Sequence, residues 1–164
     1  MNITKSHSYV EFPGNVHFEC SLCALCCGDT ETNVRKILLL KNEAEKISKK
    51  INEDIEKFAE ETGDKTSYAY AMRKTSDGKC VFLKEKLCTI YGIRPIICRF
   101  YPFKLDNLGN QHYAFSYTKE CPGIGKGLYL NREFFETLFT EFITSTKETD
   151  HKKYVIPTPI FVKI

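Results

Sequence analysis

The stretch Cys20-Ser21-Leu22-Cys23-Ala24-Leu25-Cys26-Cys27-Gly28 decides how the rest of the chain is read. It places four thiols within eight residues in the pattern C-x2-C-x2-C-C. Two-residue spacing lets successive thiolates turn toward one metal, as in structural zinc knuckles. Three cysteines joined by two such steps are closer to the loop that holds three irons of a [4Fe–4S] cluster and takes its fourth ligand from a remote cysteine followed by proline. Cys121-Pro122 has that form. The adjacent pair Cys26-Cys27 adds a constraint. In an extended backbone neighbouring side chains point apart, so one of the two is expected to serve a second site or stay free.

Four further thiols, Cys80, Cys88, Cys98 and Cys121, bring the total to eight in 164 residues. Eight suffice for two four-ligand sites, and the fraction is below the roughly 8–10% of a disulfide scaffold. The N-terminus shows no apolar run of signal-peptide length. The longest aliphatic run, Ile37-Leu38-Leu39-Leu40, is far short of the about 20 residues of a membrane span. The expected compartment is therefore the cytoplasm, where cysteines stay reduced and a cluster of them reads as metal-binding or catalytic. The net charge of +3 is too small to suggest nucleic acid or a membrane surface as partner. A hydrophobic fraction of 42% against 27% charged residues is that of a globular chain.

Around the cysteines the pattern predicts one α+β domain over residues 1–164. It consists of short antiparallel strands and hairpins with two main helices, organised around a cysteine metal site. Val34 to Leu40 reads as a buried strand. Asn42 is the expected cap of a first helix, with Glu45 as its capping-box partner. Ala44, Ile47, Ile51, Ile55, Phe58 and Ala59 form its apolar stripe, and Gly63 stops it. Asp77-Gly78 reads as a hairpin turn between Tyr68–Met72 and Cys80–Leu83. A second hairpin joins Lys104-Leu105 to Gln111–Tyr117 through 106–110. Pro95 starts a short helix holding Ile96, Ile97 and Cys98. Asn131 caps a second long helix over 132–145, with Phe134, Phe135, Leu138, Phe139, Phe142 and Ile143 inward. The tail from Tyr154 reads as extended, made irregular by Pro157 and Pro159.

Beside the thiols, Arg94 and Arg99 are the candidate cofactor-binding cations, because a guanidinium offsets the negative charge of a four-thiolate site and donates to sulfur. Phe100, Tyr101 and Phe103 are expected to wrap the site. His17, three residues before Cys20, is better read as packing than as a ligand. Gly123-Ile124-Gly125-Lys126-Gly127 lacks the spacing and the Ser/Thr of a phosphate loop, and reads as a turn that brings the Cys121 backbone close to the site. No catalytic Ser/His/Asp set or carboxylate pair stands out.

The run from Cys20 to Gly28, then Cys80-Val81-Phe82-Leu83, Cys88-Thr89-Ile90-Tyr91-Gly92-Ile93-Arg94-Pro95-Ile96-Ile97-Cys98-Arg99 and Phe100-Tyr101-Pro102, resembles the YkgJ-type cysteine-cluster family. The segment from Cys121 to Gly127 resembles that family's later part, so the likeness spans roughly 17–130. It implies a zinc- or iron-chelating domain. The flagellin lysine methylase shares the cysteine motif, which adds protein methylation as an analogy, although the chain shows no adenosylmethionine-type glycine loop. The reading favoured by the spacing is a protein with one or two iron–sulfur clusters in electron transfer or metal handling, with a metal ion or cluster and a protein partner or substrate as its associates. The alternatives are a cluster-dependent protein-modifying enzyme and a structural zinc module.

Overall fold

The computed structural model describes residues 8–63, 68–147 and, for the backbone alone, 160–163. In chain order the elements are β1 (Tyr9–Glu11), β2 (His17–Phe18), β3 (Asn33–Lys36), β4 (Leu38–Leu39), α1 (Lys41–Ile51), α2 (Ile55–Phe58), β5 (Ala59–Glu61), β6 (Tyr70–Met72), β7 (Leu83–Lys84), β8 (Leu87–Cys88), α3 (Ile96–Phe100), β9 (Phe103–Gly109), β10 (His112–Tyr117), β11 (Leu128–Tyr129), α4 (Arg132–Lys147) and β12 (Ile160–Lys163). The chain is α+β, built of small sheets: β1-β10-β9, β4-β6-β5 and the pairs β11-β2, β12-β3 and β7-β8. All pairings are antiparallel except the parallel one of β1 with β10.

The long helix α4 carries the aromatic part of the core. Asn131 accepts the Phe134 N–H at 3.1 Å, the expected cap. Phe135 is fully buried and meets Phe103 at 5.3 Å and Phe115 at 5.2 Å, so the helix lies on the β9–β10 hairpin. Phe142 reaches Phe100 of α3. Phe100 and Phe103 thus belong to this core rather than wrapping the cysteines as expected. The β9–β10 turn is tighter than the sequence suggested. Pairing continues to Gly109 and His112, and only Asn110 and Gln111, with φ of 48° and 61°, form the loop.

The first helix departs from its expectation at both ends. Its cap is Leu40, not Asn42, because Glu43 reaches back three residues to accept the Leu40 N–H at 2.9 Å. It stops at Asn52, which takes the left-handed conformation (φ 55°, ψ 45°), while the Glu53 N–H donates to the Ser48 carbonyl. The apolar stripe resumes in α2, which turns directly into β5. A stripe at helical spacing is preserved across a break, and periodicity alone could not see the break.

The turn at Asp77-Gly78 is present, with Gly78 at φ 75°. Its arms, however, pair only close to the turn, through the bridge of Lys74 with Cys80 and the bonds from the Thr75 N–H to the Lys79 carbonyl and from the Val81 N–H to the Arg73 carbonyl. Strand β6 pairs with β4 and β5 instead, and the Cys80 N–H is drawn to the Cys27 carbonyl at 2.7 Å. The far arm of the expected hairpin has been taken by the cysteine loop. At the C-terminus β12 lies antiparallel to β3. The expected irregularity at Pro157 and Pro159 lies outside the described residues. None of the helices among the described residues is long and apolar enough to cross a membrane.

Candidate metal centre

The cysteine run is a loop held at both ends by backbone pairing. At its start the Glu19 N–H donates to the Gly123 carbonyl at 3.1 Å, and the Gly125 N–H to the His17 carbonyl at 2.9 Å. At its end the Asp29 N–H donates to the Gly78 carbonyl at 3.0 Å, and the Cys80 N–H to the Cys27 carbonyl. Two remote cysteines are therefore carried to the loop by its own clamps, Cys121 at one and Cys80 at the other. Each clamp needs a glycine. A Cβ on Gly28 would meet the Gly78 carbonyl oxygen at 2.8 Å, and one on Gly123 would collide with the Glu19 carbonyl oxygen. The expected close approach at the glycine-rich segment is thus an approach to Glu19. Gly123→Ala is expected to cost about 1–3 kcal/mol through overpacking. Thermal unfolding checks it, and an unchanged midpoint would show that the clamp yields freely.

Between the clamps the backbone is strained. Leu22 and Ala24 take φ of 53° and 61°, conformations that non-glycine residues adopt at a cost of about 1–3 kcal/mol each. Leu25–Cys27 form one 3-10 turn, closed by the Cys27 N–H on the Ala24 carbonyl. This overturns the expectation that the adjacent pair diverges. Successive residues of a 3-10 turn are rotated by about 120°, not the 180° of a strand. The Cys26 and Cys27 sulfurs lie 3.6 Å apart and share a hydrogen bond.

Cys88 is presented by the β7–β8 hairpin, whose two loop residues, Glu85 and Lys86, both have positive φ. Cys98 is presented by α3, and α3 is tied to α1 by Glu43. One Glu43 carboxylate oxygen accepts the Leu40 N–H and the other the Ile96 N–H, at 2.6 Å. Burial pushes the Glu43 carboxyl above its ordinary range, although both N–H groups favour the charged form. Glu43→Ala leaves two N–H groups at helix starts without their acceptor. A loss of about 2 kcal/mol is expected, read as a lower unfolding midpoint. Retention of full stability would show that water replaces the carboxylate.

Cys20, Cys26, Cys27, Cys80, Cys88 and Cys98 frame one cavity of about 70 Å³, whose remaining wall is largely apolar, with Ile37, Met72, Ile90 and Pro95. Cys23 and Cys121 lie outside that lining. Cys121 is buried, and the charges it feels are those of Cys23 and Cys26, so Cys26 stands between the cavity and this second neighbourhood. The sulfurs frame a space rather than meet at a point. As placed, no three His, Cys, Asp or Glu side chains among the described residues are arranged to hold an ion. His17 turns away, with Nδ1 3.0 Å from the Gly127 carbonyl.

Burial sets the acidity of most of these thiols. It pushes Cys98 up to about 12, and it is the main reason that Cys80, Cys88 and Cys121 are raised. The Cys26–Cys27 hydrogen bond splits that pair. It lowers Cys26, with help from Arg35 and Arg94, and raises Cys27.

Arg35 is the residue that sequence reasoning missed. It is 1% exposed, its guanidinium lies 4.8 Å from the centre of the Tyr101 ring, and its charge acts on Cys26, Cys80 and Cys98. The buried strand expected over Val34 to Leu40 begins instead as an alternating one, Asn33–Lys36, with the polar residues Asn33 and Arg35 inward and Val34 outward. A charge inside an aliphatic run was the only available signal. Arg94 borders the cysteine cavity and stacks on Tyr91 at 3.5 Å. Arg99 turns to the far side of α3, where it donates to Glu141 at 3.0 Å.

The donor set fits a thiophilic metal: soft ligands, an apolar wall and buried positive charge to balance thiolates. Neither the curated proteins nor the solved structures yield a match to the chain. The family described as "CxxCxxCC: Putative zinc- or iron-chelating domain" matches residues 19–122, and since that is more than half of the chain and runs from the first clamp to Cys121-Pro122, the chain belongs to this metal-binding family.

Proposed function

We propose that this chain carries an iron–sulfur cluster and serves electron transfer or metal and cluster handling. The observation that supports this is the number of thiols framing one small apolar cavity: six, where a single zinc ion takes four. Four of Cys20, Cys26, Cys27, Cys80, Cys88 and Cys98 would hold one [4Fe–4S] group, and Cys23 and Cys121 are what a second would draw on. When bound, the group supplies one-electron exchange. The chain's own residues do the rest. Arg35 and Arg94 offset the thiolate charge, Ile37, Met72, Ile90 and Pro95 keep water away, and the two clamps and Glu43 bring four separate segments together.

A structural zinc module is the competing reading, and one distance favours it. The 3.6 Å between the Cys26 and Cys27 sulfurs is close to the about 3.8 Å separating two thiolates of a tetrahedral zinc. A substrate-modifying enzyme is less well supported, because the space that the thiols themselves frame, about 70 Å³, is far below the about 300–1,000 Å³ of small-molecule sites, and a substrate would have to be held outside it. Anaerobic purification decides between the metals. Brown protein with broad absorption near about 400 nm, iron and acid-labile sulfide is expected. Colourless protein with stoichiometric zinc would overturn the cluster and leave the structural module.

A further inference from the structure

On the far side of α3 from the cysteines lies a second, larger cavity of about 330 Å³, floored by α1, the 91–94 turn and the last turns of α4. Three cations line it: Lys46, Arg94 and Arg99. The carboxylates nearby are committed. Both Glu43 oxygens accept backbone N–H groups, and Glu141 receives Arg99 Nη1. Among the described residues Arg99 Nε, shielded from solvent, has no hydrogen-bond partner, and Lys46 makes no ion pair. Thr144 adds a hydroxyl donor. Cationic side chains and a hydroxyl lining one concave site are the chemistry of an oxyanion site.

The cavity continues along α4 into a groove of about 540 Å³ that shares Lys46, Arg99, Thr144 and Ser145 and adds Thr137, Thr140, Glu133 and Glu136. That half is hydroxylated and acidic, unlike the first, so a ligand lying across both would have an anionic head and a polar, uncharged or amino-bearing body.

We propose that the cleft between α1, α3 and α4 binds a phosphate-bearing small molecule, its phosphate held by Lys46, Arg94 and Arg99 and its polar body laid along α4. Arg99 gives one N–H to Glu141 and Arg94 gives its Nε–H to the Tyr91 carbonyl, so Lys46 and the remaining guanidinium N–H groups are the donors on offer. Several donors suit the several acceptor oxygens of a phosphate better than those of a single carboxylate. Arg94 borders this cleft and the cysteine cavity alike, and α3 carries Arg99 on one side and Cys98 on the other. Occupancy of the cleft is thereby set one side chain away from the metal. The site stands whichever metal the cysteines hold.

Inorganic phosphate titrated calorimetrically into the full chain, purified with its metal at low ionic strength, is the test. One-site saturation is expected. Lys46→Gln and Arg99→Gln should each weaken it about tenfold, the worth of one charge-assisted hydrogen bond. Lys57→Gln, a basic change away from the cleft, should leave it unchanged, and acetate should bind more weakly than phosphate. Metal content and unfolding midpoint, measured alongside, separate loss of the site from loss of the fold. Absence of saturable binding, equal weakening by Lys57→Gln, or acetate binding as tight as phosphate would each overturn the proposal.

Discussion

Cys98→Ser is expected to lower metal affinity by more than about 100-fold and to remove the metal's contribution to stability. Losing a group that merely orients a ligand costs about 10–100-fold in affinity, and in the proposed function Cys98 is a ligand itself. If the wild-type metal site is saturated by that margin, linkage makes the loss about 2.7 kcal/mol, or about 5–10 °C in the unfolding midpoint of a chain this long. The expected contrast lies in the metal-free protein. There a Ser is nearly isosteric with Cys, and the midpoints of variant and wild type should agree within about 1 kcal/mol. Metal analysis together with paired melts of loaded and metal-free protein reads both numbers. An equal loss in the metal-free protein would make Cys98 a packing residue of α3 and remove it from the site.

Such a residue could be picked from the sequence because its chemistry is local. Cys98 follows Pro95 at the start of a short helix, and the proline that fixes that start is visible as a letter. The Asn131 cap of α4 and the β9–β10 hairpin were legible for the same reason: a side chain or turn type acts on its own few neighbours. What the sequence hid is what depends on distant segments. Glu43 looks like one more carboxylate on a solvated helix face until α3 arrives above it and offers the Ile96 N–H. Gly28 and Gly123 look like turn residues, yet they are required by carbonyl oxygens of Gly78 and Glu19, which lie far away in the chain. The apolar stripe from Ile47 to Phe58 was read correctly as one buried face. The Asn52 break inside it was not, because a left-handed Asn leaves the stripe intact while turning the backbone. The candidate site was half legible. The identities of the thiols were plain, but their division into six around a cavity and two beside it rests on two clamps and a hairpin that no spacing rule encodes.

Arg35 makes the second large effect. A guanidinium buried beside thiols becomes their counter-charge once several of them are deprotonated on a metal. Its charge already favours the thiolate forms of Cys26, Cys80 and Cys98, and its guanidinium carbon lies 4.8 Å over the Tyr101 ring. Arg35→Met keeps most of the volume and removes the charge. Removing one member of a buried charged contact while leaving its partners in place costs stability, about 3–5 kcal/mol where the contact is fully buried. The metal-free variant should therefore melt lower than wild type, and the loaded variant should fall further. The loaded variant should lose at least about tenfold in metal affinity, so the gap between loaded and metal-free midpoints narrows. Arg35→Lys restores the charge without the guanidinium over the ring, and it should recover part of the affinity but not all. Competition with a chelator at fixed pH measures the affinities, and thermal melts measure the midpoints. If Arg35→Met weakened the loaded and metal-free forms by the same amount, the guanidinium would be serving the fold around Tyr101 rather than the thiolates. If Arg35→Lys matched wild type in both, the site would need only a positive charge at that depth, with no contribution from the ring contact.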